Sequence, residues 1–86
     1  MKYEITRSGP RIEAIGAHAG YRIRLSTARP GGGTGWPLHV AVRGSESEDE
    51  VEVPLPQHHL RSQDEALEFG YDCAVLYIDA MDHRLP

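Results

Sequence analysis

Ser62-Gln-Asp-Glu-Ala-Leu-Glu-Phe-Gly-Tyr-Asp-Cys-Ala-Val-Leu-Tyr-Ile-Asp-Ala-Met-Asp82 is the stretch that decides the fold. At about 100° per residue, Asp64, Glu65, Glu68, Asp72, Asp79 and Asp82 fall on one arc of roughly 100°, interrupted only by Val75. The remaining arc, about 220° wide, is apolar, broader than the face a surface helix usually buries, so a single sheet is not expected to cover it. Ser62-Gln-Asp-Glu65 matches a capping box: the Ser hydroxyl accepts from the third helical amide while the Glu reaches back. Asp64 and Glu65 suit the positive end of the helix dipole, whereas Asp64/Glu68 and Glu68/Asp72 are like charges four residues apart, unfavourable by a few tenths of a kcal/mol each. Gly70, midway along the apolar arc, costs about 1 kcal/mol relative to Ala unless close packing offsets it. It therefore marks the point where helix and sheet touch.

Upstream, the periodicity changes from helical to alternating. Tyr21-Arg-Ile-Arg-Leu sets Tyr21, Ile23 and Leu25 against Arg22 and Arg24, and Leu38, Val40 and Val42 alternate with His39, Ala41 and Arg43. Val51, Val53 and Leu55 repeat the pattern with Glu50 and Glu52 facing out, the strand ending at Pro54 or Pro56. In such a meander Arg22, Arg24 and Arg43 lie near Glu50 and Glu52, where opposite-charge cross-strand pairs contribute roughly 0.2–1 kcal/mol each. Residues 1–17 are less regular, an extension or one extra strand, with Gly16 and Gly20 read as interruptions. The expected class is α+β: a three- to four-stranded antiparallel meander over 20–56, packed on one long C-terminal helix over 62–82, in a single domain spanning 1–86.

At 86 residues, with 40% hydrophobic and 26% charged residues, the chain is of a size and composition to fold as one modestly stable domain. One cysteine allows no internal disulfide, and the first sixteen residues carry charges in place of an apolar signal core, so a reducing cytoplasm is the expected setting. The longest apolar run, Cys73 to Ile78, falls far short of the roughly 18 residues that cross a bilayer, and no membrane partner is expected. The net charge of −4 hides a division. Residues 1–43 hold seven Lys or Arg against two Glu, net +5, and residues 44–86 hold two Arg against eleven acids, net −9. Either the halves neutralise each other on folding or they face apart and steer partners.

No motif of known chemistry emerges. The Pro30-Gly-Gly-Gly-Thr-Gly35 loop lacks the Gly-Lys-Ser/Thr of a phosphate loop and leads into a strand, so it reads as a hairpin connection. His58-His59 and Asp79-x-x-Asp82-His83 lack a convincing ligand pattern, and no metal or other cofactor is expected. Cys73 reads as a small core residue whose acidic neighbours oppose thiolate formation. No nucleophile arrangement occurs, and catalytic residues are expected to be absent.

The pattern Leu60-x-Ser62-x-x-Glu65-Ala66-x-x-x-Gly70-x-x-x-Ala74-x-x-x-Ile78-Asp79, after a Gly20-Tyr21-Arg-Ile strand and a Trp36 strand, resembles small proteobacterial β-β-β-α domains of unknown function. The resemblance spans residues 18–80 and implies a fold, not an activity. Leu60 replaces the aromatic residue usual before the helix, and the first seventeen residues are additional. A more distant likeness is to double-stranded-RNA-binding and antitoxin domains, whose basic cluster at a helix start is absent here because this helix opens with Gln-Asp-Glu.

The expected function is a non-enzymatic protein-interaction module that binds a protein partner or a second copy of itself. The over-wide apolar arc and acidic stripe nominate Leu67, Tyr71, Val75, Leu76, Glu68, Asp72 and Asp79 as its surface. The alternative is a nucleic-acid-binding accessory protein that uses Arg22, Arg24, Arg43 and Trp36 on the sheet. An acidic protein pays repulsion toward nucleic acid, which lowers that reading.

Overall fold

The structure, a computed structural model, describes residues 2–30, 35–44, 48–56 and 58–82, Asp82 by its backbone alone. Five strands, β1 (Tyr3–Arg7), β2 (Arg11–His18), β3 (Tyr21–Ala28), β4 (Leu38–Arg43) and β5 (Val51–Glu52), precede one helix, α1 (Gln63–Asp82). The strands form one antiparallel sheet in sequence order, and the class is α+β with the C-terminal helix packed on the sheet. α1 lies chiefly across β3 and β4 and reaches β2 less.

The sheet is larger than alternation alone indicated, because the first eighteen residues supply two strands instead of one. Gly16, read in the sequence as an interruption, sits inside β2 opposite Tyr3 and Ile23. A Cβ there would lie 2.9 Å from the Lys2 carbonyl oxygen and 3.0 Å from the Tyr71 ring. The glycine thus makes room for an aromatic side chain within a continuous strand. β2 and β3 join through Ala19 and Gly20, whose φ values of 51° and 82° give a two-residue turn of the kind that matches strand twist. At the opposite edge β5 is shorter than expected: its alternation ends at Glu52, although the Val53 amide still donates to the Val40 carbonyl at 2.8 Å.

One sheet face carries Ile12, Ala14, Ile23, Leu25, Val40, Val42 and Val53, all buried against Leu67, Ala74 and Ile78 of the helix. Thr27, the buried polar residue of the core, donates its hydroxyl to the Pro37 carbonyl, so its burial costs no unmade bond. Gly70 meets the sheet as its position in the apolar arc requires. An added Cβ would stand 3.0 Å from Val40 Cγ2 and 3.1 Å from methyls of Leu25 and Leu38. The cap is present too: Ser62 Oγ accepts from the Glu65 amide at 3.0 Å, and Glu65 Oε1 accepts from the Arg61 amide at 3.1 Å. The returning arm thus lands one residue earlier than a strict capping box.

Candidate interaction surface

Helix α1 presents three flanks, and the strands decide what becomes of each. Its central stripe, Ala66, Leu67, Gly70, Ala74 and Ile78, is buried. Leu67 has 0% of its surface exposed. This corrects the reading of Leu67 as a contact residue: on the helical wheel it falls between Ala74 and Ile78, in the sheet-facing stripe and not on a flank.

The flank on the β1 and β2 side is covered by the N-terminal strands. The Tyr71 ring lies 6.1 Å from that of Tyr3, its hydroxyl donates to the Ala17 carbonyl at 3.2 Å, and Lys2 Nζ stands 5.8 Å from its centroid. Lys2 also bonds Glu68 at 3.0 Å and approaches Asp72 at 3.7 Å, and these carboxylates raise its pKa. Burial, followed by the Glu68 charge, raises that of the Tyr3 phenol. One turn from the helix end, Asp79 Oδ1 lies 2.8 Å from His18 Nε2. Four nominated residues, Tyr71, Glu68, Asp72 and Asp79, are therefore held against the chain's own N-terminal hairpin, though Glu68 and Asp72 keep at least half of their side-chain surface in solvent. Val75 is half-buried against the core.

The third flank faces the β5 side. Phe69 stacks on His58 with ring centroids 4.5 Å apart and planes 9° from parallel, and borders a shallow depression with Trp36, Leu38 and Leu55. Two turns on, Leu76 is 70% exposed, with the half-buried Cys73 and exposed Ala80 beside it. Burial and, less strongly, the Asp72 charge push the Cys73 thiol pKa up, away from thiolate. Leu76 has Asp72 four residues before it and Asp79 three after, its nearest neighbours on the outer side. The nominated residues thus do not form one surface, since Tyr71 and Leu76 lie on opposite flanks.

The sheet face turned away from the helix carries Arg22, Arg24 and Arg43, as alternation requires, but not Trp36, which lies before β4 and packs toward Leu55 and Phe69. Arg24 pairs with Glu50 at 2.5 Å, the cross-strand contact expected from sequence, while Arg22 stands directly opposite Arg43. Arg11 lies 3.5 Å from Glu13, and His39 Nδ1 lies 3.7 Å from Glu52. Register places five arginines (Arg7, Arg11, Arg22, Arg24, Arg43) among four glutamates (Glu4, Glu13, Glu50, Glu52) on this face, a near balance. On α1, Asp64, Glu65, Glu68 and Asp72 are exposed. The charged halves of the sequence are thereby partly neutralised within the fold, through Lys2 at the helix and Glu50 at the sheet.

Among the described residues no group of three His, Cys, Asp or Glu is placed to hold a metal ion, and no helix is long and apolar enough to cross a membrane. Residues 31–34 of the Gly-rich loop and His83 lie outside the described residues. Sequence reasoning missed Lys2 and His18. Parity in β2 was the available signal for His18, because it shares the odd-even phase of Ile12 and Ala14 and so the face under the helix. Compared with protein-family models, curated proteins and solved structures, the chain matches none of them.

Proposed function

We propose that this chain is a small non-enzymatic protein-interaction module that meets its partner on the outer, β5-side flank of α1. The observation that carries the reading is Leu76, a large apolar side chain 70% exposed in mid-helix and bordered by Asp72 and Asp79. The sheet accounts for the central stripe and the N-terminal hairpin for the Tyr71 flank; on this one His58 covers Phe69, and among the described residues Leu76 and Ala80 stay exposed. A single exposed Leu is ordinary on a protein surface; the argument rests on its continuity with Phe69, Cys73 and Ala80 along one helix flank. The unpartnered cysteine suits a reducing cytoplasm. The nucleic-acid reading draws less support, because glutamates interleave the arginines and Trp36 does not join them.

Site-specific photo-crosslinking in cells tests this. A photoreactive residue at position 76 is expected to give discrete protein adducts, and one at position 22 none. An adduct of about twice 9.6 kDa would make the partner a second copy. Adducts to nucleic acid from position 22, with none from 76, would overturn the reading.

A further inference from the structure

Taking the Leu76 flank as the contact surface, an inference that rests on the functional reading above, we infer that its occupant is a basic amphipathic helix from another protein. Phe69, Cys73, Leu76 and Ala80 follow one another at intervals of four, three and four residues, the spacing of a helix–helix seam. The seam runs about 16 Å, enough for three turns of a partner helix. Its apolar residues would fill the gaps between Leu76 and its neighbours as knobs fill holes.

Charge decides the partner's sign. Along the outer margin of the seam run Glu65, Asp72 and Asp79, and Glu65 and Asp72 are exposed. Lys2 serves Glu68 more closely than Asp72, at 3.0 Å against 3.7 Å, and the Asp72 side chain keeps 63% of its surface in solvent. Lys or Arg on the partner's flanking positions would oppose Glu65 and Asp72, as the charges beside a coiled-coil seam select their partners. A second copy fits poorly. Its own α1 would bring the same carboxylates to the contact, and its open sheet face is nearly charge-balanced.

The test uses the full chain and two synthetic helical peptides of about 18 residues, one with Leu at the seam positions and Lys elsewhere, the other with Glu in place of Lys. Amide resonances are followed by NMR during titration. The Lys peptide is expected to shift Cys73, Leu76 and Ala80, the Glu peptide to leave them unmoved, and Leu76→Gln to weaken the Lys peptide about tenfold. Because Leu76 is exposed, Leu76→Gln should keep the parent unfolding midpoint, which the same samples verify. Equal binding of both peptides at these amides would overturn the basic partner while leaving the flank as a contact surface. Unchanged binding of the Lys peptide to Leu76→Gln would make the contact merely ionic and overturn the seam. If neither peptide moves these amides, the flank itself fails as a docking surface, and the functional reading falls with it.

Discussion

His18 Nε2 lies 2.8 Å from Asp79 Oδ1, so the last residue of β2 holds the final turn of a helix 61 positions away. α1 has no basic residue in its last turn, and Asp79 lies there against the dipole. The histidine supplies from the sheet a partner the helix lacks. His18→Ala is expected to lower stability by about 0.5–1 kcal/mol, as a partly exposed pair should. Amide exchange should accelerate in the last helical turn before it does at Ala66 or Leu67. Urea unfolding with hydrogen exchange measures both, and uniform acceleration along α1 would contradict the local role.

Gly70→Ala sets helix propensity against packing. Alanine gains about 1 kcal/mol as a helix former. Its methyl would meet Val40, Leu25 and Leu38 at 3.0–3.1 Å at once, in a buried layer where overpacking costs about 1–3 kcal/mol. The leucine methyls can rotate away, but β-branched Val40 has little freedom to do so. Net destabilisation of about 1 kcal/mol or more is expected in chemical denaturation, and a gain in stability would show that the helix lifts freely from the sheet.

The turn between β2 and β3 stores strain that can be removed. Ala19 adopts φ 51°, a left-handed conformation that costs a non-glycine residue roughly 1 kcal/mol. Asparagine tolerates it and is preferred before glycine in such turns. Ala19→Asn should raise stability by about 0.5–1 kcal/mol, read as a higher unfolding midpoint with unchanged denaturant dependence.

Ser62→Ala removes the acceptor of the Glu65 amide and should cost about 1 kcal/mol. Ser62→Asp should restore most of it, since a carboxylate accepts the same bond and suits the helix dipole. Circular dichroism during thermal unfolding separates the two variants.

Alkaline pH should weaken the fold. Lys2, Tyr3 and Cys73 all have folded pKa values raised above their ordinary 10.5, 10.0 and 9.0, so the folded state holds their protons more tightly than the unfolded chain. Their contributions are complete below those ordinary values and are lost as pH rises through the folded ones. Unfolding midpoints measured in urea from pH 8 upward should be level at first and fall beyond pH about 9–10. The Lys2→Met, Tyr3→Phe, Cys73→Ala triple variant should flatten that fall.

The alternation of Tyr21 to Leu25 and Leu38 to Val42, the cap at Ser62 and the close approach at Gly70 were legible because each depends on neighbours in the chain. Local spacing fixes which face a side chain takes, and a helix start needs only its own first turn. Most of the proposed interaction surface was not legible. Leu67, Tyr71 and Leu76 look alike in a wide apolar arc, and their fates, core, flank under Tyr3 and open flank, depend on where five strands end beneath the helix. The N-terminal hairpin was obscured because Gly16 resembles a break until Tyr71 is seen over it.

The sequence by itself determined the α+β class, the order of its secondary elements from residue 20 onward, and the presence of a carboxylate stripe on one helix, all consequences of period and local hydrogen bonding. Tertiary structure alone decided that Lys2 and His18 hold part of that stripe, that the sheet arginines stand among glutamates, and that Leu76 is left exposed. These outcomes follow from contacts between residues dozens of positions apart, and the pairing register that brings such residues together is settled only when the whole sheet packs under the helix.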